Sequence, residues 1–201
     1  MAGEVVKSFA TPAGGPTSLA FDGKYLWVGD VATDLIYQVG RDGRVMKSFA
    51  APSGGTRGLV FDGKYLWLSD DGTDLIYQVG RDGRVMKSFA APRSSPKGLA
   101  CGSKQLWVAD DSDVVIDQIN KDGRVIKSIA VQITGGRGLV CDGKYLWLSE
   151  VDGNRIYQLD KEGRAVKSIA APNILSDGVG FDGVYLWVVD RSADKIYQMR
   201  R

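Results

Sequence analysis

Short apolar runs of five to seven residues, bounded by Gly, Asp or Ser, follow one another along the whole chain. They recur on a period of 40 residues. The phrase FDGKYLW marks that period at 21–27 and 61–67, and returns as CGSKQLW (101–107), CDGKYLW (141–147) and FDGVYLW (181–187). Each period holds four runs. In the first they are TSLAF (17–21), YLWVGD (25–30), DLIYQV (34–39) and RVMKSFA (44–50). Runs rich in β-branched and aromatic residues between turn signals predict strands, here called a to d. Asp22-Gly23 joins a to b and Asp42-Gly43 joins c to d, and Asp-Gly suits the positive φ angles of a tight hairpin. No segment carries a helical period.

Four antiparallel strands per 40 residues describe one blade of a propeller. The expected fold is therefore all-β, a five-bladed β-propeller occupying 1–201 as one domain. The segment EVVKSFA (4–10) matches strand d, whereas KIYQMRR at the other end stops after strand c. Residues 4–10 are expected to supply the outer strand of the last blade and close the ring, which hides the sheet edges of an open array. Residues 61–90 differ from 21–50 at 4 of 30 positions, and 141–170 match 61–90 at 16 of 30. Such uneven likeness points to recent amplification of a blade or to engineering.

Composition changes this picture little. Hydrophobic residues make up 44% and charged residues 25%, with a net charge of +2 spread along the chain. No basic block stands out, so nucleic acid is not an expected partner. No apolar run reaches the ~20 residues of a membrane span, so no membrane partner is expected either. The N-terminus lacks a signal-peptide core, and the chain as written reads as soluble and cytoplasmic, its natural compartment open. Lys7, Lys47, Lys87, Lys127 and Lys167 lie on the outermost strands, where lysine discourages edge pairing. A monomer is expected.

Strands b and c resemble NHL-type propeller repeats, most closely in LWLSEVDGNRIYQL (146–159) and less so in LWVADDSDVVIDQI (106–119). Streptogramin lyases, gluconolactonases and five-bladed glutaminyl cyclases look similar. The resemblance implies that the acid ending strand b (Asp30, Asp70, Asp110, Glu150 and Asp190) caps the b–c turn.

In a propeller the d–a and b–c loops share one face, and here that face varies while the Asp-Gly face repeats. Function is expected on the varied face. Every Trp, Tyr and Phe falls at a repeated strand position, which suits packing between blades rather than a stacking platform. Cys101 and Cys141 replace the phenylalanine ending strand a and read as core residues, since no histidine exists to activate a thiol. The clusters Asp70, Asp71, Asp74 and Asp110, Asp111, Asp113 fall short of the roughly 6–8 oxygens calcium needs. No metal or other cofactor is expected.

Strand a should start at the channel mouth with Thr17, Arg57, Lys97, Arg137 and Asp177. Pairs within one hairpin are expected: Arg57 with Asp70, Lys97 with Asp110, Arg137 with Glu150. Asp177, Asp190 and Asp30 have no basic partner at matching positions, although Arg191 stands next to Asp190. That arc is a candidate site for a cation or a basic ligand, and the arc of Arg57, Lys97 and Arg137 for an anion. A small ion or a protein on this face is the expected partner. The lack of histidine and of the long insertions with which the cyclases build their sites leads to the expectation of a binding or scaffold module that is not an enzyme. An enzyme working through acids on the varied face and a multivalent lectin are the alternatives.

Overall fold

The Asp-Gly turns set the fold's local geometry. Gly23, Gly63, Gly143 and Gly183 take φ angles of 94–97°, a left-handed conformation that favours glycine. The aspartate before each glycine does more. Asp22 accepts the N–H of Lys24 and of Tyr25, and its second oxygen accepts Trp27 Nε1–H at 2.9 Å. Asp62, Asp142 and Asp182 repeat this pattern. One residue thus orders the turn and fixes the tryptophan that follows.

The computed structural model describes residues 1–110, 114–173 and 176–201. Asp111 and Asp113 lie outside the described residues. Strand β1 (Val5–Ala10) comes first. Blade one is β2 (Pro16–Phe21), β3 (Leu26–Asp30), β4 (Leu35–Val39) and β5 (Val45–Ala50). Blade two is β6 (Thr56–Phe61), β7 (Leu66–Asp70), β8 (Leu75–Val79) and β9 (Val85–Ala90). Blade three is β10 (Pro96–Cys101), β11 (Gln105–Asp110), β12 (Val115–Asn120) and β13 (Val125–Ala130). Blade four is β14 (Gly136–Cys141), β15 (Leu146–Glu150), β16 (Arg155–Leu159) and β17 (Ala165–Ala170). Blade five is β18 (Ser176–Phe181), β19 (Tyr185–Asp190) and β20 (Lys195–Arg200), and β1 adds its fourth strand.

The protein is a five-bladed β-propeller whose ring closes through β1. Phe9 stands opposite Ile196 and Ala10 opposite Lys195. The ends also rebuild a c–d turn. Gly3 N–H bonds Arg200 O at 2.8 Å and Arg200 N–H bonds Glu4 O at 3.0 Å, as Gly43 bonds Gly40 and Gly40 bonds Arg44 within blade one.

The core lies between blades. Trp27 and Ile36 of blade one pack with Leu59, Leu66 and Leu68 of blade two, and each seam has its own such cluster. All five tryptophans are at most 1% exposed. Around the axis the innermost strands approach closely: a Cβ on Gly98 would lie 2.5 Å from Arg137 O. The edge-strand lysines do not act as a free rim. Lys7 Nζ donates to Arg41 O and Lys47 Nζ to Arg81 O, each at 2.7 Å and each in the next blade. The ammonium groups of Lys7, Lys47, Lys87 and Lys167 sit 5.2–5.5 Å over Trp187, Trp27, Trp67 and Trp147. Charge and cation–π contact make them staples between blades.

Blade three breaks the pattern. Gly102 stands where the others have aspartate, and Trp107 Nε1 is buried without a hydrogen-bond partner. The repeat's cation also loses its target. Lys121 reaches Asp62 at 2.7 Å and Arg201 reaches Asp142 at 3.0 Å, but Lys161, at the matching position, bonds Gly143 O. Gly102→Asp with Ser103→Gly restores the turn of the other blades, and a Cβ at 102 meets nothing closer than 3.6 Å. Satisfying a buried donor is worth about 1–2 kcal/mol. The expected outcome is a melting temperature raised by about 2–6 °C. An unchanged or lower value in calorimetry would show that Trp107 carries no penalty.

Candidate functional site

Each innermost strand begins with a β-bulge. In blade one Pro16 faces Asp30 and Ser18 faces Gly29, which leaves Thr17 as the extra residue. Arg57 and Asp177 are bulged in the same way, and the shift spans Lys97 and Arg137 in blades three and four. A bulge re-aims a side chain. Here the residues at these positions converge on the axis. Thr17, Arg57, Lys97, Arg137 and Asp177, with Arg191, line a cavity of about 140 Å³ at the channel mouth.

Below this vestibule the channel narrows to a constriction. Leu19, Leu59, Leu99, Leu139 and Val179 leave a gap of about 10 Å³. At the far end Phe21, Phe61, Phe181, Cys101 and Cys141 surround about 70 Å³. Cys101 Sγ donates to Phe61 O, and burial pushes its thiol up to about 12, so it rests as a thiol.

The hairpin pairs expected from spacing do not form as drawn. Arg57 Nε bonds Asp71, not Asp70, at 2.7 Å, and Lys97 Nζ crosses from the next blade to the same carboxylate at 2.8 Å. Arg137 Nη1 bonds Asp177 of the next blade at 2.6 Å. Arg191 Nε lies 3.2 Å from Asp177 Oδ2, an ion pair by distance whose alignment is not that of a hydrogen bond. Two carboxylates thus each hold two cations. Burial raises Asp71, but Lys97 and Arg57 outweigh it and hold its carboxyl below the usual range.

Four of the acids ending strand b, Asp30, Asp70, Glu150 and Asp190, are turn caps, and the loop after Asp110 lies outside the described residues. Asp30 accepts N–H groups of Gly15, Ala32 and Thr33. Asp70 accepts those of Gly55, Gly72 and Thr73. Glu150 accepts Gly153 N–H, and Asp190 accepts Ala193 N–H and the Ser192 hydroxyl. The proposed acidic arc is therefore corrected. Asp30 and Asp190 are buried in their own loops and do not line the vestibule, while Asp177 is matched by two arginines. Among the described residues the lining instead holds four cationic side chains and one carboxylate. Asp70, Asp71 and Asp74 diverge: Asp70 caps, Asp71 bridges and Asp74 accepts Ser95 N–H. Among the described residues no group of three or more His, Cys, Asp or Glu could hold a metal.

From the sequence Asp71 stands out only as part of an insufficient calcium cluster, and Arg191 only as a neighbour of Asp190. The signal was present. Following strand b, the repeat reads Val31, Asp71, Asp111, Val151 and Arg191, beside Thr17, Arg57, Lys97, Arg137 and Asp177 at the start of strand a. Blade five inverts the charges of blade two, which marks the two positions as partners.

No protein-family model matches the chain, and no curated protein does, so the likeness to NHL repeats has no family match behind it. Solved structures share the fold. Glutaminyl cyclase from Myxococcus xanthus superposes with a TM-score of 0.85 at 12% identity, over 98% of this chain and 95% of that one. Virginiamycin B lyase from Staphylococcus aureus gives 0.61 at 14% identity, over 97% and 98%. A streptogramin B lyase gives 0.59 at 19% identity, over 96% and 69%. These neighbours are enzymes, which overturns the expectation that this chain is not one: the fold carries catalysts.

Proposed function

We propose that the vestibule binds a small anion bearing a carboxylate or phosphate. The observation that carries this reading is four cationic side chains, Arg57, Lys97, Arg137 and Arg191, around one cavity whose lining acid, among the described residues, is Asp177. The carboxylates of Asp71 and Asp177 hold these cations in position before any ligand arrives, which lowers the ordering cost of binding. Each guanidinium carries five donors, and Asp71 and Asp177 take Arg57 through Nε and Arg137 through Nη1. The remaining fork suits a planar carboxylate or a phosphate.

Calorimetric titration with inorganic phosphate and with succinate tests this. Saturable binding of one ligand per chain is expected, weakened roughly 10- to 100-fold by Arg137→Gln, the loss of a charge-assisted hydrogen bond. No saturable binding, or binding indifferent to Arg137→Gln and Lys97→Gln in folded variants, would remove the proposal.

One observation favours catalysis at the same place. Asp177 is a carboxylate lining the vestibule, and a ligand that draws Arg191 away from its Oδ2 would open that oxygen to take a proton. Glutaminyl cyclase is among the structural neighbours, so the assay for this reading is turnover of a glutaminyl substrate by the parent and by Asp177→Asn.

A further inference from the structure

Cations scattered along the chain are gathered by the fold onto one face, the face opposite the vestibule. The a–b turns carry Lys24, Lys64, Lys104 and Lys144, all exposed. The c–d turns carry arginine or lysine at position 41 and its four counterparts, and arginine at 44, 84, 124 and 164. The edge-strand lysines reach toward the same face, since Lys7 and Lys47 end on the carbonyls of Arg41 and Arg81. The acids there divide into two groups. Asp22, Asp62, Asp142 and Asp182 have side chains 1–5% exposed and hold the tryptophans while also pairing with Arg81, Lys121, Arg201 and Arg41. The lysines of the a–b turns and the arginines at 44, 84 and 124 are therefore the cations these buried acids leave unpaired. The exposed acids of the four complete c–d turns, Asp42, Asp82, Asp122 and Glu162, are outnumbered by the turn cations of those blades even with half-buried Asp160, which pairs with Arg164, counted in.

Two further features give this face its chemistry. Half-buried Tyr25, Tyr65 and Tyr145 lie beneath lysine ammonium groups at 4.8–4.9 Å, and Tyr185 holds the same position in blade five. In that blade Val184 replaces the lysine and is 62% exposed. The turns match in length from blade to blade, so no element projects as a helix or ribbon would to enter a DNA groove. Exposed cations, tyrosines beneath them and one protruding apolar residue suit the boundary between anionic headgroups and acyl chains. We infer that this face docks onto an anionic lipid bilayer, as a peripheral contact and not a span. It is independent of the vestibule, which faces away.

Co-sedimentation with vesicles of phosphatidylcholine alone, and of phosphatidylcholine mixed with phosphatidylserine, tests the inference on the full chain. Binding is expected to the mixed vesicles only, and it weakens as salt rises. Each surface lysine contributes roughly fivefold, so Lys24→Gln, Lys64→Gln and Lys144→Gln together weaken binding about a hundredfold. Arg155→Gln, on the vestibule face, leaves it unchanged. Val184→Asp weakens vesicle binding at the same salt. All of these positions are exposed, and unchanged melting temperatures confirm that the variants fold. Equal binding to both vesicles, binding to neither, or tighter binding to a DNA duplex with vesicle binding untouched by Val184→Asp overturns the inference.

Discussion

Trp67→Ala is expected to cost about 3–5 kcal/mol, the range for deleting a large buried aromatic. Trp67 has no exposed surface and joins Val60 and Ile76 of its own blade to Leu99 and Leu106 of the next. Its ring lies 6.1 Å from Phe89 and its Nε1 donates to Asp62 at 2.8 Å. Asp62 keeps its charge after the substitution. Burial raises its carboxyl, but the Lys121 ammonium and the N–H groups around it lower it to about 2. The lost free energy is therefore mainly packing across the seam. The other blades provide an internal control. Trp107 lacks the hydrogen bond, so Trp107→Ala should cost about 1 kcal/mol less than Trp67→Ala. Denaturant unfolding measures both. A cost below ~1 kcal/mol for Trp67 would mean that the blades are not held by these clusters.

Deleting residues 1–10 is the second large effect. It removes β1 and exposes β20 as an unpaired edge. Phe9, packed 6.1 Å from Trp187, is lost from the cluster joining blades five and one. Lys7, which staples blade five to Arg41 of blade one, goes with it. Loss of half-buried Phe9 alone is worth about 1.5–3 kcal/mol, and the lost strand pairing and lysine staple add to it. At roughly 2–4 °C per kcal/mol for a chain of this size, the melting temperature should fall by about 10 °C or more. An exposed edge should also promote association. Equal melting temperatures for the truncated and full chains would show that β1 does not close the ring.

The strands were legible because the chain repeats itself. Asp-Gly at fixed spacing reveals the hairpins, and the offset between the repeat and the chain ends reveals the closure. The vestibule was half legible. Thr17, Arg57, Lys97, Arg137 and Asp177 follow from the direction of strand a. Their partners do not, because a β-bulge displaces Arg57 from the register of Asp70. That displacement brings Asp71 within reach, and only the inverted charges of blades two and five announce it. The acids ending strand b looked available because spacing shows charge but not the loop N–H groups that Asp30 and Asp70 accept. The basic face was illegible for another reason. Its cations come singly or in pairs in every repeat, and only closure of the ring sets them side by side.

Anion binding on the axis is the central claim, and anomalous diffraction from a crystal soaked in selenate tests it most directly. Selenate has the charge and shape of phosphate's oxygen shell and reports its own position. The predicted result is a peak inside the vestibule, within hydrogen-bond reach of Arg137 and Arg191, that disappears in Arg137→Gln. Peaks confined to the exposed turns of the opposite face, with an empty vestibule, would contradict it.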